Sequence, residues 1–432
     1  MKIQTHIIKF SFIGLFLFLL VVSISCSTTP KTSSNNFVIP VDYLGLSGGM
    51  EVEEFQLINE ICPVWLRKTF YWSRIEKEKD NFNFSYYDNF VNNAKSQGKK
   101  VLAILAYATT WLNDGKNNDY ISEKNIKYFL NYIEVTVNRY KGKVDAWEIW
   151  NEPNWIFWKG TDKEFFELSR LAALKIKEID PNAYIVGGNF QRLPHNFIIN
   201  MKKAGAMENL DALSIHPYDI NPKGAMILLN NFFKITSKIN FTGDIWITEI
   251  GYPTSGWYLS RVSLKNQPSY VIKTIAPAAA MGTRVIIWYD FRDSYKYGEY
   301  PNTFDSELYF GLVYSDFSRK DGAWAYELCA RYLPGSKYNP ELPLKENIKS
   351  NIVTLCFTGN KSDTNTLIIW NDINIKQKIK VAIPATITVH DISSADFYSL
   401  PNEVILEISD RPVFITWQGS SIPHISSIRG KK

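Results

Sequence analysis

The chain has 432 residues, 45% of them hydrophobic, enough for a large core and a second, smaller domain. Its 48 basic and 43 acidic side chains leave a net charge of +5 with no concentrated Lys/Arg stripe, which argues against a nucleic-acid partner. Aromatic residues make up 15%, a richness that suits stacking on the flat C–H faces of sugar rings and suits core packing equally well.

At the N-terminus Lys2 and Lys9 precede the apolar run Phe10–Val22. The run has the length of a signal-peptide core and is short for a membrane span. Ser23-Ile24-Ser25-Cys26 follows and resembles a bacterial lipoprotein processing site, with Ser23 where Leu is usual. The expectation is a signal peptide over 1–26 with Cys26 lipidated, then a flexible polar tether over 27–38. That implies a protein anchored in the bacterial cell envelope, at the outer membrane or the periplasmic face. Plain secretion is the alternative.

Short β-rich runs then alternate with helical patterns, which is the signature of βα units. The expected strands are Tyr43–Leu46, Val64–Phe70, Lys100–Tyr107, Ala146–Asn151, Ala183–Phe190, Ala212–Tyr218, Ile245–Ile250 and Arg284–Phe291. Between the third and fourth, Ile126, Phe129, Leu130, Ile133, Val137 and Tyr140 recur at helical spacing before Gly142. After the fourth, Thr161-Asp162-Lys163-Glu164 reads as a capping box that opens a helix ended by Pro181. Eight alternations predict an α/β fold, a (β/α)8 TIM barrel, over 39–335. No GxGxxG follows the first strand, so a dinucleotide fold is not indicated.

After about Pro334 the helical periodicity stops. Ile352–Phe357, Thr366–Trp370, Lys378–Ile383, Thr386–His390, Val404–Ile408 and Val413–Trp417 predict a small C-terminal antiparallel β domain, sandwich-like, over 336–420. Residues 421–432 are expected to be a loose tail. The β domain is expected to pack beside the barrel rather than serve as a binding module. Beyond Cys26 only Cys62, Cys329 and Cys356 remain, which make no disulfide framework. The five His are scattered and no Cys/His cluster suggests a metal, so neither metal nor cofactor is expected. A monomer is expected.

Catalytic groups of such a barrel sit at the C-terminal ends of its strands. Glu152, in Trp147-Glu148-Ile149-Trp150-Asn151-Glu152-Pro153-Asn154, lies at the exit of the fourth strand, where Pro153 stops pairing. Glu249, in Ile245-Trp246-Ile247-Thr248-Glu249-Ile250-Gly251, lies at the end of the seventh. Strict alternation puts Ile245, Ile247 and Glu249 on one face. Two carboxyl groups, one protonated and one ionised, are what glycosidic bond cleavage needs. Asn151 offers an amide for a sugar hydroxyl. Glu148 shares the strand parity of Glu152 but lies about 13 Å deeper at ~3.3 Å per residue, so it reads as an interior group paired to a cation.

These stretches resemble clan A of the glycoside hydrolases, and within it family 39 and its relatives. Trp147–Asn154, Ser214-Ile215-His216-Pro217-Tyr218, Thr248–Pro253, Trp288–Asp293 and Phe310-Gly311-Leu312-Val313 carry the likeness, which covers about residues 40–335. The resemblance implies a retaining enzyme acting on β-linked oligo- or polysaccharides by double displacement, with Glu152 as acid/base and Glu249 as nucleophile. It further implies that Arg67 hydrogen-bonds the nucleophile and keeps it ionised, that His216 and Tyr218 contact sugar or nucleophile, and that Trp288 is the platform under the reactive sugar. Trp111, Trp155, Trp158 and Trp257 fall in loops after strands and are candidate outer platforms, or packing residues. Transglycosylation on the same site and a catalytically inactive carbohydrate-binding lipoprotein are the competing functions.

Overall fold

The computed structural model describes residues 37–48, 54–113, 119–257, 259–295, 304–360, 362–373 and 375–428. The expected signal peptide over 1–26, with Cys26, and residues 27–36 of the expected tether lie outside the described residues. Eight parallel strands close into a barrel in chain order: β1 (Leu44–Ser47), β2 (Trp65–Tyr71), β3 (Lys100–Ala106), β4 (Ala146–Ile149), β5 (Ile185–Gln191), β6 (Ala212–His216), β7 (Asp244–Ile250) and β8 (Val285–Trp288). The helices around it are α1 (Phe55–Ile61), α2 (Trp72–Ile75), α3 (Ser85–Ser96), α4 (Ile126–Tyr140), α5 (Asp162–Ile179), α6 (His195–Lys203), α7 (Pro222–Lys238), α8 (Gln267–Ala280) and α9 (Asp321–Tyr332). The (β/α)8 expectation is met, and each strand falls within three residues of its expected span. The capping box of α5 forms as the sequence suggests, with Thr161 accepting from the Glu164 N–H. Among the described residues no helix is long and apolar enough to cross a membrane.

The barrel strands are apolar on both faces for two different reasons. Leu66, Val101, Ala103, Ile149, Leu213, Ile245, Ile247, Ile286 and Trp288 belong to the outer cluster that packs under the helices. Trp65, Leu102, Ala146, Val186, Ala212, Trp246, Val285 and Ile287 fill the barrel's N-terminal end, where the Trp65 and Trp246 rings meet edge-on at 5.1 Å. Two large indoles fit at this end because other members of the same cluster, Ala146 and Ala212, are small.

The C-terminal domain is two sheets. One has six strands: β9 (Lys337–Tyr338), β11 (Ile352–Thr358), β12 (Thr364–Asn371), β14 (Ile387–His390), β15 (Phe397–Leu400) and β17 (Val413–Gln418). The other has four: β10 (Leu344–Glu346), β13 (Gln377–Ala382), β16 (Glu403–Ile408) and β18 (His424–Ser427). The expected loose tail is corrected here, because β18 pairs antiparallel with β13 and Ile425 is fully buried between the sheets. One apolar side chain in four residues was too weak a pattern to read as a strand. The expected tether does not extend to residue 38: Val38 pairs with Lys337 and the Ile39 N–H bonds the Ser336 carbonyl.

The middle of the six-stranded sheet, β12 above all, is buried on both faces. Leu367 and Ile369 point to the inter-sheet core, while Leu355, Phe357, Ile368, Trp370 and Phe414 join the barrel's own cluster. Phe414 packs on Tyr332 of α9 at 5.9 Å. The two domains therefore share one core. Phe414→Ala should cost about 3–5 kcal/mol and leave a single unfolding transition in denaturant for the whole chain; a separate early transition of the β domain would contradict a shared core.

Candidate active site

Two residues above the apolar plug, the barrel interior turns polar. Trp65 is followed by Arg67, Ala146 by Glu148, Ala212 by Ser214 and Trp246 by Thr248, all inward by the two-residue period of their strands. Arg67 is the centre of this layer. Its Nε bonds Glu148 at 2.6 Å, one terminal nitrogen bonds Glu249 at 2.8 Å and the other the Asn151 oxygen at 2.9 Å. Burial works against the guanidinium charge, but Glu148 and Glu249 more than offset it, and its pKa is held above the ordinary value.

Glu249 reaches the site by a route that alternation does not give. Ile245 and Ile247 face the helices, while Trp246 and Thr248 face inward. Between Ile247 and Ile250 the register with β8 slips by one residue, a β-bulge that turns Glu249 inward beside Thr248. The expectation that Glu249 shares a face with Ile245 and Ile247 is thus corrected. Gly251 follows because a Cβ there would fall 1.6 Å from the Tyr289 carbonyl oxygen. The Tyr218 hydroxyl donates to the second Glu249 oxygen at 3.0 Å.

Glu152 is set by a similar departure. Trp150 and Glu152 both have positive φ, 63° and 44°. The turn lets adjacent Asn151 and Glu152 both reach the cleft. Asn189, at φ 48° beside a register shift in β5, holds it by donating to the carbonyls of Ile149 and Trp150 at 2.8 and 2.9 Å. Glu152 is 6% exposed and its Oε1 lies 2.8 Å from His216 Nδ1. The other His216 nitrogen meets Thr248 Oγ1 at 3.0 Å. Burial pushes Glu152 up to about 7, against a lowering effect of Arg67, and pushes His216 down to about 4.

One oxygen of Glu152, one of Glu249 and one His216 nitrogen lie within 4.8 Å of one another. Among the described residues, this is the His/Cys/Asp/Glu group with spacing suited to a metal ion. Its donors are already engaged: both His216 nitrogens have protein partners, and Arg67 sits against Glu249. The arrangement is that of two carboxyl groups facing a shared gap.

The remaining sequence candidates divide. Arg67, Asn151, His216 and Tyr218 converge on the two glutamates as described. Trp288 does not: it is fully buried in the outer cluster, 6.1 Å from the Tyr252 ring, on the helix side of β8. The next residue, Tyr289, faces the cleft, with its hydroxyl donating to Glu307 at 3.2 Å. Trp111 is half-buried, packs edge-on against Trp72 and Tyr128, and donates to the Glu76 carbonyl. Trp158 is buried against Trp150 and Phe165. Trp155 and Trp257, 53% and 84% exposed, stand on the loops after β4 and β7. The sequence missed Tyr107, whose ring packs edge-on against Trp150 at 5.2 Å, close to both glutamates. It also missed Asn189 and Glu307. Burial, then the charge of Glu249, raises Glu307 to about 7. Ser214 shares its strand parity with His216, whereas the alternation that put Glu249 with Ile245 and Ile247 sent Thr248 to the opposite face; no pattern marks Glu307, in the short 3-10 turn Ser306–Tyr309.

Known proteins resemble the chain in sequence and in fold. The family model of glycosyl hydrolase family 10 matches residues 64–161, from the start of β2 to the loop before α5. Endo-1,4-beta-xylanase A of Phanerodontia chrysosporium is 26% identical over 277 residues, which cover 59% of this chain and 64% of that protein. The chain thus spans less than two thirds of that relative. A beta-xylosidase of Caldicellulosiruptor saccharolyticus is 30% identical over 122 residues, 25% of each chain. Among solved structures, a family 39 glycoside hydrolase from Bacteroides cellulosilyticus WH2 superposes with a TM-score of 0.73 at 20% identity, over 88% of this chain and 81% of that one. A family 39 beta-xylosidase from Caulobacter crescentus gives 0.62 at 15%, over 91% and 98%. These matches share the clan A glycoside hydrolase architecture.

The opposed shifts of Glu152 and His216 make a stability prediction. Glu152 binds its proton more tightly in the native state, so its contribution is full below about pH 4.5 and is lost as pH rises through about 7. His216 resists protonation in the native state, so stability falls as pH drops from about 6.5 toward 4. Each effect is on the order of 3 kcal/mol, and in the intact protein they nearly cancel between these limits. Glu152→Gln removes the first alone. Its stability should fall relative to wild type as pH is lowered from 7 to 4.5, read from denaturant midpoints; parallel curves for the two proteins would contradict the opposed shifts.

Proposed function

We propose that the chain is a retaining β-glycosidase, with Glu249 as nucleophile and Glu152 as acid/base. The observation that carries this is the pair itself: carboxylate oxygens within 4.8 Å, one group against an arginine and the other buried beside a neutral imidazole. Retaining enzymes hold their carboxyl groups about 5–5.5 Å apart, and inverting ones about 6.5–9.5 Å. Arg67 and Tyr218 orient the Glu249 carboxylate so that one oxygen can attack the anomeric carbon. Glu152 gives its proton to the departing glycosidic oxygen. Water then enters, Glu152 takes one of its protons, and the oxygen attacks the same carbon to release Glu249. Tyr289, rather than Trp288, serves as the platform under the reactive sugar, and Trp155 and Trp257 as outer stacking surfaces. The endo-1,4-beta-xylanase and beta-xylosidase activities of the matched proteins support β-1,4-linked xylo-oligosaccharide or xylan as the substrate, and the superposition supports family 39 as the nearer kin.

Glu152→Gln should lower turnover of xylobiose by about 10²–10⁴-fold and cut far less into an aryl xyloside with an acidic leaving group. Glu249→Ala should abolish both. Turnover in Glu249→Ala comparable to wild type would sink the assignment.

We further propose that the chain is exported and anchored through a lipid on Cys26. The charged-then-apolar N-terminus ending in Ser23-Ile24-Ser25-Cys26 supports this. Membrane fractionation of cells should find the wild type with the membrane and Cys26→Ser released from it; equal membrane retention of both would refute the anchor.

A further inference from the structure

We propose that Asn189 acts through Ser214, Thr248 and His216 as a positioning residue that keeps the proton on Glu152. The proposal rests on Glu152 being the acid.

The argument is one of hydrogen-bond direction. Asn189 Nδ2 points at two backbone carbonyls, Ile149 at 2.8 Å and Trp150 at 2.9 Å, which fixes the amide's orientation. Its oxygen therefore faces Ser214 Oγ at 2.6 Å, and an amide oxygen only accepts. Ser214 must donate its one hydrogen there. The Ser214 oxygen then accepts from Thr248 Oγ1 at 2.9 Å. With that hydrogen committed, the Thr248 oxygen accepts from His216 Nε2 at 3.0 Å. His216 thus carries a hydrogen on Nε2.

In a neutral imidazole the other nitrogen is then a bare acceptor. Nδ1 lies 2.8 Å from Glu152 Oε1, so the carboxyl must supply the hydrogen between them. The opposite tautomer, with Nδ1–H, would donate to an ionised Glu152 and stabilise the wrong form of the acid. A chain that begins at an amide held by two carbonyls excludes that tautomer. An imidazolium–carboxylate pair would satisfy the same bonds, but His216 is fully buried and Glu152 nearly so. Arg67, Glu148, Glu249, Tyr107, Tyr218 and Glu307 are the charged and titratable groups that act on the pair. For His216, burial outweighs the net effect of Glu249, Arg67 and Glu148 and pushes the ring down to about 4, so it is neutral at neutral pH.

Every link except the last lies away from the reacting atoms, so the role can be tested apart from catalysis. Ser214→Ala frees the Thr248 hydroxyl to turn and donate to Nε2, which admits the Nδ1–H tautomer. The alkaline limb of the kcat/KM profile on xylobiose should then move down by about one pH unit, with the acid limb in place. A dinitrophenyl xyloside, whose leaving group departs without a proton, should lose less, and Ser214→Thr should restore the limb. Nitrogen-15 NMR of the histidine ring at neutral pH gives a readout that needs no turnover: Nε2–H with bare Nδ1 in the wild type, and a share of Nδ1–H in Ser214→Ala. A wild-type ring protonated on Nδ1 or on both nitrogens overturns the proposal, as does an unmoved alkaline limb in folded Ser214→Ala. If Glu152→Gln keeps full turnover, the acid assignment fails instead, and the wild-type spectrum still decides the direction of the chain.

Discussion

One guanidinium holds the cleft together. Arg67 is almost fully buried, and its hydrogen bonds run to two side chains from β4 and its exit and one from β7. A desolvated charge is tolerated only where partners offset it, and removal of one partner leaves another charge uncompensated. The strand ends that carry both glutamates are therefore tied to a side chain two residues above the apolar plug of the barrel. The planar fork of Arg67 sets direction as well as distance: Glu249 and Asn151 occupy its two outer nitrogens, and Glu148 the inner one.

A regular barrel could not deliver these groups. Strict pleating sends alternate residues inward, whereas the cleft uses the adjacent pairs Asn151/Glu152 and Thr248/Glu249. The chain departs from regularity at both places, with left-handed turns at Trp150 and Glu152 and a bulge in β7. A left-handed non-glycine residue costs roughly 1–2 kcal/mol. The carbonyls of Ile149 and Trp150, turned out of the sheet ladder, recover hydrogen bonds from Asn189. The same amide thus stabilises the departure and terminates the polar chain that leads to Glu152.

These departures mark where the sequence stops being legible. Eight strands, the α5 cap and the two glutamates were readable, because each rests on a local pattern: apolar runs, a Thr-x-x-Glu box, a carboxylate at a strand's exit. Arg67, His216 and Tyr218 came through family likeness. Trp288 was misread for a physical reason. Both faces of a barrel strand are apolar, so an aromatic near the strand end gives no sign of which side it faces. The true inward ring is Tyr289. Glu249 was found despite a wrong parity, since a bulge leaves no mark in one sequence. Asn189 and Glu307 were not found at all. The first sits in an ordinary-looking Gly-Gly-Asn-Phe strand end, and the second is brought in by the long segment between β8 and α9, whose path no periodicity encodes.

The charge balance of the cleft bears on both halves of the proposed cycle. One arginine faces Glu148 and Glu249 directly, and Glu152 and Glu307 stand close by with their proton affinities raised. For Glu152 the raising cause is burial, and Arg67 is the opposing one. When Glu249 becomes a neutral ester, Arg67 loses one of its two anions. Its field at Glu152 is then less cancelled, which draws the Glu152 pKa down. The group that enters the cycle holding a proton is thereby left ionised when a base is needed for water. A single residue can serve as acid and then as base because the charge of its partner changes between the two steps, and Arg67 transmits that change.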